Sequence, residues 1–135
     1  MTTILVGTDT SSAADLAVDD AAKLARDRDA DLLILHVRGP DGLRSVVDPA
    51  LAADPSRHLA AVGARYPELT VRTRMEEGDP AAVICDVAEQ ERAETIVVGN
   101  RGTHGAWWRV KYSVPNLVLR HAPCSVLIVD TRRAQ

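Results

Sequence analysis

Short, nearly unbroken apolar runs alternate along this chain with segments whose apolar residues recur every three or four positions. The runs cover residues 4–6, 32–37, 96–98 and 125–129. Runs of this kind are typical of parallel strands that are buried on both faces, and the intervening period is that of amphipathic helices. The pattern predicts an α/β fold with an open, doubly wound five-stranded parallel sheet, helices on both faces, and one domain over residues 1–135.

Polar residues mark the starts of two predicted helices, and an alternating segment marks the remaining strand. We expect Ser12 to begin the first helix, with Asp15 three residues later as a shortened capping box. Asp79 followed by Pro80 predicts an N-cap and a first helical position. Residues 69–75 alternate between apolar and polar, which indicates a half-exposed strand at a sheet edge.

Composition and charge narrow the classes of partner. The formal net charge is −3, so general affinity for nucleic acid is not expected. No apolar run approaches the ~20 residues that cross a membrane, and the amino-terminal residues do not have the pattern of a signal peptide. Cys85 and Cys124 are expected to be buried free thiols in a reducing cytoplasm, and no cysteine or histidine spacing predicts a metal site.

Residues 95–116 combine a strand, a glycine-rich loop and a helix start. Gly99 ends the apolar run, and glycine recurs every third residue from there, which permits a tight turn and close approach of the main chain to a ligand. Ser113 is a candidate helix cap, with Pro115 in the first turn. A loop that leads into a helix N-terminus can hold a phosphate group.

This stretch resembles the nucleotide-binding branch of the universal stress protein family, whose motif is Gly, two residues, Gly, nine residues, Gly, then Ser or Thr. Gly99, Gly102 and Ser113 occupy matching positions, whereas Tyr112 stands where the motif has glycine. The first strand with its terminal Asp9 and the other strands also follow the family order. The resemblance implies the strand order 3-2-1-4-5, which places strands one and four side by side.

The resemblance implies a cytoplasmic ATP-binding sensor or regulator, with the nucleotide, and Mg²⁺ with it, in a crevice between strands one and four. Asp9 would bond a ribose hydroxyl or the adenine amino group; a helix cap or loop carboxylate is the alternative for this residue. The residues that the resemblance implies for the site are Thr8, Asp9, Val37, Val98, Gly99, Arg101, Gly102, Ser113 and Val114.

Three aromatic residues near the predicted phosphate site leave a second function as an alternative. Tyr112 either blocks the phosphate site or turns away from it, and Trp107 and Trp108 form either a lid over a base or, as we favour, a local or intersubunit contact. The alternative function is a dimeric stress protein that binds no nucleotide and works through protein partners. No catalytic triad, carboxylate pair or zinc motif indicates an enzyme, although slow hydrolysis of a bound metal–nucleotide is compatible with the sequence.

The last apolar run predicts how two chains associate. The strand Ser125–Val129 would lie at an edge of the sheet in the implied order. An apolar edge strand with unpaired main-chain groups needs a cover, and the resembled family often dimerises there. At the opposite edge Arg72 and Arg74 would deter such pairing. We therefore expect a homodimer built on Ser125–Val129.

Overall fold

The fold is seen in a computed structural model, which describes residues 2–39, 55–100 and 114–131. This part of the chain contains five strands and four helices in regular alternation. In chain order they are β1 (Thr3–Thr8), α1 (Ser12–Asp27), β2 (Asp31–Arg38), α2 (Pro55–Gly63), β3 (Val71–Glu77), α3 (Pro80–Gln90), β4 (Thr95–Gly99), α4 (Val114–His121) and β5 (Ser125–Val129).

All the strands form one parallel sheet with the order β3-β2-β1-β4-β5. Val6 at the centre of β1 pairs with Ile34 of β2 on one side and with Val97 of β4 on the other. These three side chains are fully buried, as unbroken apolar runs require. The predicted fold class and strand order are confirmed.

Among the described residues, two helices cover each face of the sheet, and alternate residues of a strand contribute to opposite layers. Val6 belongs to the layer under α1 and α2, whereas its neighbour Leu5 belongs to the layer under α3 and α4. The residues that α1 contributes to the core are mainly small, which lets that helix lie close to the sheet. Its buried residues are Ala14, Ala17, Val18, Ala21, Ala22 and Ala25.

The helix starts confirm one capping prediction and contradict the other. Asp79 caps α3 by accepting a hydrogen bond from the main-chain N–H of Ala82, with proline in the first turn as expected. For α1 the N-cap is Ser11 and not Ser12, because the Ser11 hydroxyl accepts from the N–H of Ala14. The predicted capping box between Ser12 and Asp15 was therefore wrong.

The β3 edge differs from the simple alternation expected of it. Met75 is 42% exposed, so it does not point into the core. Arg74 is half-buried instead, since it forms ion pairs with Glu76 of its own strand and with Glu91 beyond α3. Arg72 also pairs with Glu91. The edge strand thus carries ion-paired arginines, and their protection of the edge against pairing stays a prediction.

Candidate functional site

The carboxyl ends of β1 and β4 lie side by side, near the centre of the row of strand ends. The two strands pair directly, and the chain leaves β1 for α1 on one face and leaves β4 ahead of α4 on the opposite face. In doubly wound sheets a crevice opens where the connections diverge in this way, and ligands bind there. Asp9 follows β1 and Gly99 ends β4, so both predicted site residues are at these strand ends.

The turn between β1 and α1 is held by its own side chains. The Thr8 hydroxyl accepts a hydrogen bond from the N–H of Thr10 at 3.0 Å. Oδ1 of Asp9 accepts from the N–H of Ser11 at 2.9 Å. Thr10 has a positive φ of 68°, which the two side-chain bonds stabilise. Thr8, Thr10 and Ser11 are buried, whereas Asp9 is exposed. The turn therefore holds the Asp9 carboxylate in a defined position.

The end of β2 is joined to this turn through a histidine. Thr8 and His36 are register partners, and Nδ1 of His36 lies 3.0 Å from the carbonyl oxygen of Thr8. A carbonyl oxygen only accepts hydrogen bonds, so Nδ1 carries the proton in this arrangement. Val37 follows on β2 and is half-buried. Thr8 and Val37, two predicted site residues, thus lie on neighbouring strands near their carboxyl ends.

The chain's exit from β4 is fixed by the last residue of β5 and by a residue just beyond it. The N–H of Asn100 donates to the carbonyl oxygen of Val129 at 3.0 Å. Its side-chain Oδ1 accepts from the N–H and from the hydroxyl of Thr131, at 3.1 and 3.3 Å. Sequence reasoning identified neither Asn100 nor Thr131, because no local pattern links two residues that are brought together by strand pairing.

The other predicted site residues divide into those in the described part of the chain and those outside it. Val98 is 4% exposed and packs in the layer under α3 and α4, one residue before Gly99. Val114 is the first residue of α4 and is half-buried. The remaining residues to which a site role or an effect on the site was assigned lie outside the described residues; they are Arg101, Gly102, Trp107, Trp108, Tyr112 and Ser113.

A separate cavity of about 410 Å³ lies between α3 and α4. It is lined by Cys85, Leu117 and His121, among other residues, and by neither Asp9 nor Gly99. Burial raises the pKa of both the Cys85 and the Cys124 thiol, which favours the protonated form of these free cysteines. Both thiols are only partly buried, less than the sequence suggested. We therefore place the candidate site at the strand ends and not in this cavity.

The described residues contain no group of three or more histidine, cysteine, aspartate or glutamate side chains that could hold a metal ion. Within the same ranges, no helix has the length and apolar character needed to cross a membrane.

The strand order, the divergent connections and the ordered β1–α1 turn define a doubly wound α/β protein. Comparison with known proteins makes the class specific. Residues 1–130 match the model of the Universal stress protein family, so the chain belongs to that family.

Individual relatives agree over nearly the whole chain. A protein of Staphylococcus aureus strain USA300, assigned to the universal stress proteins, is 31% identical over 95% of this chain and 83% of its own length. The crystal structure of a universal stress protein in complex with cAMP is 30% identical, covers 96% of this chain and 97% of that one, and superposes with a TM-score of 0.80. The universal stress protein UspA from Lactobacillus plantarum is 30% identical, with coverage of 95% and 97% and a TM-score of 0.73.

Proposed function

We propose that this universal stress protein binds an adenine nucleotide at the carboxyl ends of β1 and β4. The observation that carries the proposal is the β1–α1 turn, which holds an exposed Asp9 carboxylate beside the exit of β4. A carboxylate that only accepts hydrogen bonds suits the hydroxyl donors of ribose and the amino donor of adenine. The similar protein crystallised with cAMP supports adenine nucleotides as the class of ligand.

The proposed contacts follow the arrangement of strands. Asp9 bonds the ribose or the adenine amino group, while Thr8 and Val37 frame the base from the ends of β1 and β2. Gly99 begins the side that faces the phosphates. The main chain around Val98, together with Arg101, Gly102, Ser113 and Val114, completes that side in the family register. ATP is the first ligand to test, with Mg²⁺ carried by its phosphate oxygens.

We infer a role in sensing or regulation and not in catalysis. In this role the nucleotide changes the surface that a partner contacts, and any hydrolysis is slow. We further propose that residues 1–135 form one universal stress protein domain and that it works in the cytoplasm, where free thiols such as Cys85 and Cys124 persist.

Calorimetric titration with ATP, ADP and AMP, each with and without Mg²⁺, tests the binding. Mass spectrometry of freshly purified protein before and after denaturation would identify a nucleotide that co-purifies. We expect heat of binding from at least one adenine nucleotide and none from an equal concentration of free phosphate. Absence of both heat and co-purified nucleotide would contradict the proposed function.

A second function is favoured by the surface of β5. Leu127 and Ile128 are 40% and 38% exposed on this edge strand. Pairing of Ser125–Val129 with its two-fold copy would bury both side chains and satisfy the open edge. A dimer of this kind that binds no nucleotide would act through protein partners, and Tyr112 in the place of the motif glycine favours that alternative.

A further inference from the structure

Three residues hold the point at which the chain leaves β4; we call Gly99, Asn100 and Thr131 the exit clasp. Asn100 is fixed by one main-chain bond to Val129 and by two bonds from Thr131 to its side-chain oxygen. Thr131 is 1% exposed although it follows the last strand. Because Thr131 is almost completely buried, its polar groups need hydrogen-bond partners within the protein, and the side chain of Asn100 is one of them.

Gly99 belongs to the exit clasp because its missing side chain leaves room for the side chain of Thr131. A Cβ atom added at Gly99 would lie 2.7 Å from Cγ2 of Thr131, well inside van der Waals contact. Hydroxyl Oγ1 and Cβ of Thr131 would be 3.6 and 3.7 Å from it, which are ordinary distances. Among the described glycines only Gly78 has a positive φ, so the backbone at Gly99 accepts an L side chain. The methyl group of Thr131 is therefore what requires glycine here.

We propose that Thr131 is a positioning residue for the nucleotide site, and that the first glycine of the loop serves to admit its methyl group. The inference rests on the proposed function. With Asn100 bonded to both Val129 and Thr131, the direction in which the chain leaves β4 is set by residues at and just beyond the carboxyl end of β5. The main chain at Gly99 is thereby held where it meets the phosphate side of the crevice.

The steric relationship predicts a compensating pair of substitutions. Gly99→Ala should weaken ATP binding about tenfold, because the added methyl group displaces Thr131 and with it Asn100. Thr131→Ser removes Cγ2 and keeps the hydroxyl, so alone it should change affinity by less than about threefold. The double variant Gly99→Ala with Thr131→Ser should return to within about threefold of Thr131→Ser alone. A double variant as weak as Gly99→Ala would overturn the proposal and assign Gly99 to direct approach of phosphate.

Hydrogen exchange in the nucleotide-free protein tests the clasp without relying on a ligand. Asn100→Ala removes the acceptor of the Thr131 N–H, so that amide should lose protection while the core strands β1 and β2 keep theirs. Asn116→Ala, at an exposed position on α4, is the matched control and should leave the Thr131 amide unchanged. Unchanged protection in Asn100→Ala would overturn the clasp. A parent protein that binds no adenine nucleotide would contradict the proposed function and the positioning role, and exchange at Thr131 would still report whether the clasp exists.

Discussion

The phenolic hydroxyl of Tyr66 donates a hydrogen bond to the carboxylate of Asp19, which links the segment after α2 to the middle of α1. Tyr66 is 7% exposed and packs in the layer under α1 and α2. Burial, and next the hydrogen bond to Asp19, raise the pKa of Tyr66 far above its usual value. The protonated phenol is thus the form that the fold selects.

This relationship predicts a loss of stability in alkali. An unfolded tyrosine releases its proton at about pH 10, while folded Tyr66 retains it. Its contribution is therefore complete below that pH and is lost as the pH rises towards the folded pKa, with a slope of up to about 1.4 kcal/mol per pH unit. Tyr66→Phe should show a shallower decline in the free energy of unfolding, measured by urea titrations between about pH 9 and 11.5.

The partly buried thiols also contribute to the loss of stability in alkali. The raised pKa values of Cys85 and Cys124 make stability fall in the same direction, but equally in the parent and in Tyr66→Phe. The difference between the two slopes therefore isolates the phenol. Parallel declines for both proteins would show that ionisation of Tyr66 is not coupled to unfolding.

A second prediction concerns Gly78, which joins β3 to α3 with a φ of +138°. Gly78→Ala should lower the free energy of unfolding by about 1–3 kcal/mol, because an L side chain is strained in that conformation. The added Cβ would also lie 3.0 Å from Cγ2 of Val83. Thermal and urea denaturation would measure the loss.

Gly63→Ala is the matched control for that substitution. Its Cβ would lie 3.1 Å from Cγ1 of Val71, but Gly63 ends a helix and has no positive φ. A gain in helix propensity of at most about 0.5–1 kcal/mol, the value for a mid-helix position, should partly offset the small displacement of Val71. Equal losses from Gly63→Ala and Gly78→Ala would contradict the role of backbone conformation.

The sequence predicts the architecture well because apolar runs and helical periods are local signals. The runs around Val6, Ile34 and Val97 are the three central strands, and their order agrees with the order implied by the family resemblance. Capping is less determined, since Ser11 and Ser12 are both able to cap and only the geometry of the turn chooses Ser11. The carboxylate of Asp15 instead contacts His58 and Arg65 of the α2 region, a tertiary contact with no local pattern.

The candidate site is less accessible to sequence reasoning than the fold. Asp9 could be identified because it directly follows a buried strand and matches a family position. Asn100 and Thr131 could not, since the pairing of β4 with β5 brings them together across 31 positions of sequence. Gly99 was assigned to phosphate approach or a tight turn, whereas the structure adds the methyl group of Thr131 as a reason for glycine.

The Asp9 carboxylate yields a third prediction. Asp9→Ala should weaken adenine-nucleotide binding by about 0.5–1.5 kcal/mol, the contribution of one hydrogen bond to an uncharged group. Asp9→Asn is the matched control for folding, because its side-chain oxygen still accepts from the N–H of Ser11. Calorimetry would compare affinities, and circular dichroism would establish that both variants fold. Equal affinity of Asp9→Ala and the parent would remove Asp9 from the site.

The last prediction concerns the proposed homodimer, and the structure shows which side chains to change. Val129 is 4% exposed and belongs to the layer under α1 and α2, so its replacement would damage the core. Leu127 and Ile128 are the exposed apolar residues of the strand. Replacing both with lysine places charge on the edge strand and spares the buried Val129, and charge on an edge strand opposes pairing.

Light scattering at high micromolar concentration distinguishes the monomer from the dimer. We expect the parent at about twice the chain mass of 14.5 kDa and the Leu127→Lys, Ile128→Lys variant at the single-chain mass. Leu119→Lys is the matched control, since Leu119 is 57% exposed on α4 and outside the strand. It should remain dimeric, because Leu119 lies outside the edge strand whose main-chain groups would pair. A parent protein that stays at the single-chain mass, or a Leu119→Lys variant that dissociates as fully as the double variant, would exclude an interface built on Ser125–Val129.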